Sequence, residues 1–341
     1  MRALAILSPL AGLLVGFAVL SGVASGQTPV SAGRITGTVM NGTAGVASVA
    51  GVRVQLLALG EDGQVSSSEE SAADGQFAFT PPADPTVTYV LRATYQGVSY
   101  LVDPPVLLSP ELPNEERAIT VYEATNEAPA LRIATTVVSV QGLDRDLGEL
   151  SLQREDQVVN PSDRVYVGGD DGVTLRIPAP DGVTGLGATD DLDASVELEG
   201  LVTTTTQALR PGANLVVTRY VVGYDQASDV YRLRVTSPLP ASEMELWVPE
   251  RFVDAVEAGP EGIRGADQTL RDERWIVVQR VDPADEGESL TASIIGLTRA
   301  NSANPLLGFP GALFGASIAL GAVVAGALLL WRARTSTSEV Q

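Results

Sequence analysis

Carboxylates, arginines and tyrosines are the residues of this chain that could do chemistry, because the 341-residue sequence contains no cysteine, histidine or lysine. Zinc, copper, haem and iron–sulfur centres typically need cysteine or histidine ligands. A Ser-His-Asp triad, a lysine Schiff base and the lysine of a P-loop are equally impossible. We therefore predict no catalytic residue, no metal site and no cofactor, and we favour a protein that is not an enzyme.

Three acidic clusters are the candidate ligands for a hard cation such as Ca²⁺. They are "DRD" at 144–146, "GGDDG" at 168–172 and "TDDLD" at 189–193. None has the spacing of an EF-hand loop, and solvated turns explain all three without a metal. A calcium-stiffened adhesion stalk that uses Asp190 and Asp191 is an alternative hypothesis.

A pair of carboxylates could also hydrolyse a glycosidic bond, so a membrane-tethered hydrolase is a second alternative. Nothing in the sequence singles out two of the 42 acidic residues for this role. Trp247 and Trp275 lie in strand-like segments, and we interpret them as packing residues rather than as a platform for a sugar.

Arginines and tyrosines recur in "RPG" (210–212), "RYVVGYD" (219–225) and "YRLR" (231–234). On adjacent strands, side chains of these two types on one face would stack and present a polar binding surface. An ordinary solvated sheet face is the simpler alternative. The residues of this candidate partner surface are Arg210, Arg219, Tyr220, Tyr224, Tyr231, Arg232 and Arg234.

The overall charge argues against nucleic acid as a partner. Acidic residues outnumber basic ones by 42 to 22, which gives a formal net charge of -20. Nucleic-acid binding needs a basic surface, whereas like charges of this number keep a protein soluble. The exclusive use of arginine as the basic residue is typical of a bacterial genome with high GC content.

The elements that must position these residues are β-strands. From Gly33 onward, runs rich in Val, Thr, Ile and Tyr are interrupted every eight to twelve residues by Gly, Pro, Asp or Asn. This rhythm predicts an all-β fold of two or three β-sandwich domains. In residues 34–39 the alternation places Ile35, Gly37 and Val39 on one face.

Four motifs in the first third of the chain occur in the order of a known family. They are G-x-[IV]-x-G-x-V at 33–39, G-V-x-V-x-L at 51–56, D-G-x-F-x-F at 74–79, and a strand that ends in Tyr95. Together they resemble the carboxypeptidase regulatory-like domain, a transthyretin-like β-sandwich, over residues 33–123. The resemblance implies a binding, spacer or stabilising module, and it carries no catalytic residues. The segment 121–140 is similar to uncharacterised bacterial envelope proteins that are anchored in a membrane.

The two ends of the chain predict where it resides. Arg2, the apolar residues 3–20 and the small residues Ala24 and Gly26 have the layout of a signal peptide that is cleaved before Gln27. An uncleaved N-terminal anchor is the alternative. Near the other end, residues 309–331 carry no charge and, as a helix, would be roughly 34 Å long, enough to span a bilayer.

Trp331, Arg332 and Arg334 indicate that the C-terminal tail lies in the cytoplasm, because positive residues stay on that side. Gly311, Gly315 and Ala319 form a stripe of small residues that could pack against another helix, although spans rich in Gly and Ala show such spacing by chance. The bulk of the chain is then extracytoplasmic.

These features divide the chain into six segments. They are a signal peptide (1–26), a carboxypeptidase regulatory-like sandwich (31–126), a second β-sandwich domain (130–300) that is one unit or two joined near 203–206, a juxtamembrane linker (301–308), a single transmembrane helix (309–331) and a cytoplasmic tail (332–341). We predict a non-enzymatic binding or scaffolding protein of the cytoplasmic membrane. Its partner would be another envelope protein, or a second copy through the span, and it would serve as an accessory subunit of an envelope complex.

Overall fold

The computed structural model describes residues 31–297, apart from 48, 50, 61–62, 64, 72–73 and 189–193. Within these residues every regular element is a β-strand, except for one 3₁₀ turn at Glu250–Phe252, so the predicted all-β class is confirmed. In this part of the chain no helix has the length and apolar character needed to cross a membrane. The predicted signal peptide and the predicted span, including Gly311, Gly315 and Ala319, lie outside the described residues.

The first sandwich consists of eight strands in two facing sheets. The strands are β1 (Arg34–Asn41), β2 (Arg53–Leu59), β3 (Val65–Ser71), β4 (Gln76–Phe79), β5 (Thr88–Tyr95), β6 (Val98–Leu101), β7 (Val106–Leu107) and β8 (Asn114–Val121). In the smaller sheet β1 lies between an antiparallel β4 and a parallel β8. The other sheet has the order β3-β2-β5-β6, and β7 also pairs with β5.

Gly37 explains why the first motif needs a glycine inside a strand. Ile35, Gly37 and Val39 all face the core, as the alternation predicts. Gly37 lies directly opposite Phe77 of β4, and a Cβ at this position would overlap both the Phe77 ring and the carbonyl oxygen of Arg117 on β8. The glycine therefore gives the phenylalanine ring room to lie across the strand, which ties the first motif to the third.

The residues "ADG" at 73–75 predict a turn before β4, because aspartate and glycine tolerate positive φ. Asp74 and Gly75 both adopt positive φ, 53° and 79°. Aspartate tolerates this region better than most residues, and glycine adopts it without penalty. The turn carries the chain from the sheet that contains β3 to the sheet that contains β4.

The rest of the described chain forms sixteen strands of 2 to 13 residues. They are β9 (Ala124–Thr125), β10 (Arg132–Asp144), β11 (Glu149–Asn160), β12 (Val165–Tyr166), β13 (Leu175–Pro178), β14 (Val183–Leu186), β15 (Val196–Glu199), β16 (Val202–Thr205), β17 (Gly212–Gly223), β18 (Val230–Thr236), β19 (Ala241–Pro249), β20 (Ala255–Ala258), β21 (Gly262–Arg264), β22 (Gln268–Leu270), β23 (Glu273–Arg280) and β24 (Ser289–Ile295).

One large sheet organises this second part. Its order is β14-β17-β11-β10-β19-β23-β21, and β22 also pairs with β23. The large sheet shares one apolar core with two three-stranded sheets, whose orders are β13-β16-β15 and β18-β24-β20. The buried residues of this core extend along the sequence from Ile133 to Leu297. By sequence, a junction between two smaller sandwiches would lie at residues 203–206. These residues include the end of strand β16, and the side chains of Thr203 and Thr205 are buried.

One local expectation from the sequence differs from the structure. The glycines of the segment "DGVTGLGATDDLDA" at 181–194 indicate a turn, yet Val183–Leu186 forms strand β14 on the edge of the large sheet. The neighbouring β17 offers a long unpaired edge, and pairing with it outweighs the weak strand propensity of glycine. The segments 97–108 and 117–129 fit either an added hairpin or a closing strand by sequence, and β8 is a closing strand that runs parallel to β1.

A charged pair lies inside the second core. Arg154 and Asp156 are adjacent inward positions of β11, with side chains that are 2% and 0% exposed. The guanidinium donates from Nε to Asp156 Oδ2 (2.7 Å) and from Nη1 to the carbonyl of Thr236 (2.9 Å). Thr136 Oγ1 donates to Asp156 Oδ1 (2.6 Å). Burial alone would lower the pKa of Arg154, but the Asp156 carboxylate outweighs it and raises that pKa above its ordinary value.

Replacing Gly37 with alanine is expected to lower the free energy of unfolding by about 1–3 kcal/mol, because the added methyl group overlaps the Phe77 ring and the β8 backbone. Urea denaturation of the purified protein measures the loss. Gly60→Ala is the matched control, since its Cβ would meet no atom within 4 Å. Equal stability of the two variants would contradict this account of the motif.

Replacing Asp156 with leucine is expected to lower the free energy of unfolding by about 3–5 kcal/mol, because it leaves the Arg154 guanidinium buried without its counter-ion. Adding Arg154→Met to the same chain should recover most of this loss. The fluorescence of Trp247 and Trp275 reports the transition during denaturation. A single variant as stable as the wild type, or a double variant no better than the single one, would show that the pair does not act as a unit.

Candidate functional site

The two sandwiches are joined by a short parallel ladder immediately after β8. Strand β9 pairs with β12, and the amides of Val165 and Val167 donate to the carbonyls of Glu123 (2.9 Å) and Thr125 (3.1 Å). Val165 belongs to the second part of the sequence, yet its side chain is fully buried in the core of the first sandwich. The junction is therefore a packed contact and not only a covalent link.

The carboxylate of Glu123 accepts hydrogen bonds from three side chains, which belong to two separate segments of the first sandwich. Oε1 accepts from Tyr95 Oη (2.7 Å) and Asn41 Nδ2 (2.8 Å), and Oε2 accepts from Gln96 Nε2 (2.6 Å). The hydrogen bond from Tyr95, followed by that from Gln96, holds the pKa of Glu123 below its ordinary value. The same bond raises the pKa of Tyr95.

The "NGTAG" turn at 41–45 completes the junction. Thr43 Oγ1 accepts from the amide of Glu123 (2.9 Å) and donates to the carbonyl of Asp163 (3.1 Å). The amide of Ala44 donates to the Asp163 carboxylate (3.0 Å), while Asn41 Oδ1 accepts from the amide of Thr43 (3.0 Å). Although "NGT" fits a glycosylation sequon, these contacts explain Asn41 and Thr43 as turn and junction residues.

Arg210 makes a second bridge between the sandwiches. Its guanidinium lies over the ring of Tyr100, 5.1 Å from the centroid, and donates to the carbonyl oxygen of Ser99 on β6. The Tyr100 hydroxyl in turn donates to the carbonyl of Tyr122 (3.2 Å) and accepts from its amide (3.2 Å). Burial raises the pKa of Tyr100, although the nearby Arg210 cation opposes that effect.

A cleft of about 1170 Å³ lies between the two sandwiches, next to these two bridges. One wall is the outer face of β2, β5 and β6 together with the edge of β8. The other wall is the start of β17 and the segment before it. Its exposed apolar side chains include Leu101 (59% exposed) and Leu215 (40% exposed), and Arg210 lies among them. An apolar cleft with a few directed polar groups at a domain interface is the usual setting of a binding site.

The arginines and tyrosines predicted as a partner surface do not share one face. Strand β17 belongs to the large sheet and β18 to a three-stranded sheet, so they are not adjacent. The side chains of Tyr220 and Tyr224 are buried in the core. Arg219 lies on the outer face of the large sheet and donates to Gln153 Oε1 (3.1 Å). The sequence patterns could not reveal this separation, because it depends on which strands pair.

The remaining members lie near the β18 sheet. Tyr231 donates to the carbonyl of Asp181 (2.8 Å), and burial, with a contribution from the Asp181 charge, raises the pKa of Tyr231 to about 12. Arg234 pairs with the Asp181 carboxylate (2.9 Å). Arg232 lines a second cavity of about 660 Å³ on the outer face of this sheet. Of the predicted set, Arg210 alone lies in the interdomain cleft.

The acidic clusters form turns where they are described. Asp144 accepts from the amides of Asp146 and Leu147, and Asp171 accepts from the amide of Val173 and pairs with Arg176. Among the described residues no group of three acidic side chains is placed to hold a metal ion. Asp190 and Asp191 lie outside those residues.

Two of the described carboxyl groups, those of Glu155 and Glu273, have a pKa that burial raises, as a general acid for hydrolysis requires. Burial raises the pKa of Glu155, although its hydrogen bond from Gln153 (2.6 Å) opposes that effect. The cavity beside Gln153 and Arg219 has a volume of only about 20 Å³. Trp247 and Trp275 pack against each other with ring centroids 6.3 Å apart, and both are nearly buried, which agrees with the predicted packing role.

No family model matches the chain, and no curated protein matches it. Among solved structures, a two-domain M1 zinc metallopeptidase mutant with bound L-tryptophan is 11% identical with a TM-score of 0.31, covering 48% of this chain and 43% of that chain. The M1 zinc metallopeptidase from Deinococcus radiodurans is 11% identical with a TM-score of 0.30, covering 49% and 42%. This chain thus spans less than half the length of these metallopeptidase chains.

The major pilin SpaD from Corynebacterium diphtheriae is also similar, at 11% identity and a TM-score of 0.21 over 79% of this chain and 84% of that chain. The architecture that this chain shows is an all-β, sandwich-like one. At this level of similarity none of the comparisons assigns a function, so the site must be interpreted from its own residues.

Replacing Glu123 with alanine is expected to accelerate amide hydrogen exchange at Val165 and Val167 and to lower the free energy of unfolding by about 1 kcal/mol, because the carboxylate is partly solvated. Glu127→Ala, a nearby exposed change outside the network, is the control. Equal protection of the two amides in both variants would contradict a role for Glu123 at the junction.

The junction should also weaken in acid. The folded-state pKa of Glu123 lies below its ordinary value of 4.5, so its stabilisation is complete above about pH 4.5 and is lost as pH falls through the folded-state pKa. Hydrogen exchange at Val165 between pH 6 and pH 3, corrected for intrinsic rates, measures this. The pH-dependent part should vanish in Glu123→Ala, and its persistence there would assign the effect to another group.

Proposed function

We propose that this chain is a non-enzymatic, extracytoplasmic binding and scaffolding protein tethered to the cytoplasmic membrane by residues 309–331. The observation that carries the proposal is the cleft of about 1170 Å³ held between two sandwiches by the Glu123 junction and by Arg210. A cleft with fixed walls and exposed apolar side chains suits the capture of a partner. The partner is another envelope protein, and the chain is an accessory subunit of its complex.

The sequence features support the location in this proposal. An N-terminal signal peptide at 1–26 exports the chain, and the uncharged segment followed by Arg332 and Arg334 leaves the tail 332–341 in the cytoplasm. The first sandwich, in this proposal, is of the carboxypeptidase regulatory-like type. Its role is to form one wall of the cleft, and the second sandwich supports it above the membrane.

The anchor is tested by fractionation and protease access. The full-length protein should sediment with membranes, and its outer part should be digested from the extracytoplasmic side while a C-terminal tag stays protected. A variant that lacks 309–331 should be released in soluble form. Membrane association that survives this deletion, or digestion of the tag in intact spheroplasts, would reject the proposed topology.

The partner is tested by crosslinking in intact membranes, followed by purification through an affinity tag. Recovery of one defined complex in constant stoichiometry is expected for the full-length protein, and the variant without 309–331 shows whether the span contributes to it. Recovery of no protein other than the chain itself would contradict the accessory-subunit role. It would instead favour a stand-alone surface module.

A further inference from the structure

The cleft contains the unpaired edge of a strand. The amide of Gly42 donates to the carbonyl of Val121 (2.8 Å), so the backbone groups of Val121 point toward β1. Successive residues of a strand direct these groups to opposite sides, and therefore those of Ala118 and Thr120 point away from β1. Both residues line the cleft, and among the described residues no other strand pairs with β8. Such an edge is a template for an added strand.

Arg210 supplies a cation beside this edge. Among the described residues no carboxylate lies within ion-pair distance of its guanidinium, in a chain whose net charge is -20. The Tyr100 ring and the Ser99 carbonyl already fix its position. A guanidinium has five N–H donors, so a carboxylate can still bind it, and little side-chain ordering remains to oppose that binding.

The side chains of the walls complete the chemistry of the site. Leu101 projects from one wall and Leu215 from the other, and both are exposed. In an added strand alternate side chains point to opposite faces, so an extended segment could place apolar residues against these leucines while its backbone pairs with β8. An acyl chain would fill the same apolar space but would leave the backbone groups of Ala118 and Thr120 unpaired.

We propose, on the basis of the function proposed above, that the cleft binds an extended segment of a partner protein by strand addition to the free edge of β8. The segment has alternating apolar residues, and one acidic side chain forms an ion pair with Arg210. Main-chain hydrogen bonds supply the affinity, and the leucine walls together with Arg210 select the sequence.

Selection from a random nine-residue peptide library on phage, panned against the full-length protein in detergent, tests this assignment. Enriched peptides should have apolar residues at alternate positions and an aspartate or glutamate at one fixed position.

A synthetic copy of an enriched peptide should bind about tenfold more weakly to the Arg210→Gln variant, because a charge-assisted pair is lost. Arg210→Lys should retain part of the affinity. Arg232→Gln should have no effect, because Arg232 lies outside the cleft and, like Arg210, forms no ion pair with a carboxylate in the described part of the chain.

The backbone pairing is tested by one change in the protein and one change in the peptide. Ala118→Pro removes the amide that points into the cleft and leaves the ladder to β1 intact, so it should abolish peptide binding without changing the melting temperature. If this variant is unstable, the probe is changed instead. Peptides methylated on alternate backbone nitrogens should lose binding in one register and keep it in the other.

Four results would overturn the inference. The first is an absence of any enriched peptide class, and the second is binding that is insensitive to Arg210→Gln and to methylation in both registers. The third is a dimer that the selected peptide dissociates, because a second copy would then be the occupant. A crosslinked complex that survives Ala118→Pro would also remove the partner from this cleft, while leaving the proposed scaffolding function in place.

Discussion

The position of one carboxylate, Glu123, determines whether this molecule has a cleft of defined width. Glu123 lies two residues beyond the end of β8, and it binds Tyr95, Gln96 and Asn41 at the point where the chain leaves the first sandwich. The main chain beside it pairs with β12, and Val165 then enters the first core. Without these contacts the two sandwiches would be joined only by Arg210 and a connecting segment, and such segments allow domains to move relative to each other.

In the second sandwich, the buried pair of Arg154 and Asp156 connects the large sheet to one of the small sheets. A large sheet must hold two smaller sheets on one face, and apolar packing alone specifies their positions poorly. Arg154 reaches from β11 to the carbonyl of Thr236 at the end of β18, which links the large sheet to one of the small ones. Asp156 balances the charge within the same strand. We regard this pair as a device for conformational specificity, since a buried ion pair contributes little net stability.

Local patterns in the sequence predicted local structure well. The alternation in β1, the positive-φ turn at Asp74 and Gly75 and the packing of the two tryptophans all depend on neighbours close in sequence or on burial. The Arg–Tyr surface was not predictable in the same way. Strands β17 and β18 follow one another along the chain but enter different sheets. The junction is not predictable from the sequence for a related reason, because Thr43, Glu123 and Asp163 meet only through the tertiary fold.

The parallel pairing of β1 with β8 determines how the first sandwich would respond to a pulling force. Eight residue pairs, from Arg34↔Asn114 to Asn41↔Val121, connect the first and last strands of this unit. Because the strands run in the same direction, tension between the start of β1 and the end of β8 slides one strand along the other. The ladder is then loaded in shear, and its rungs must break together rather than one after another. A sandwich closed in this way is suited to transmit load along the chain without unravelling.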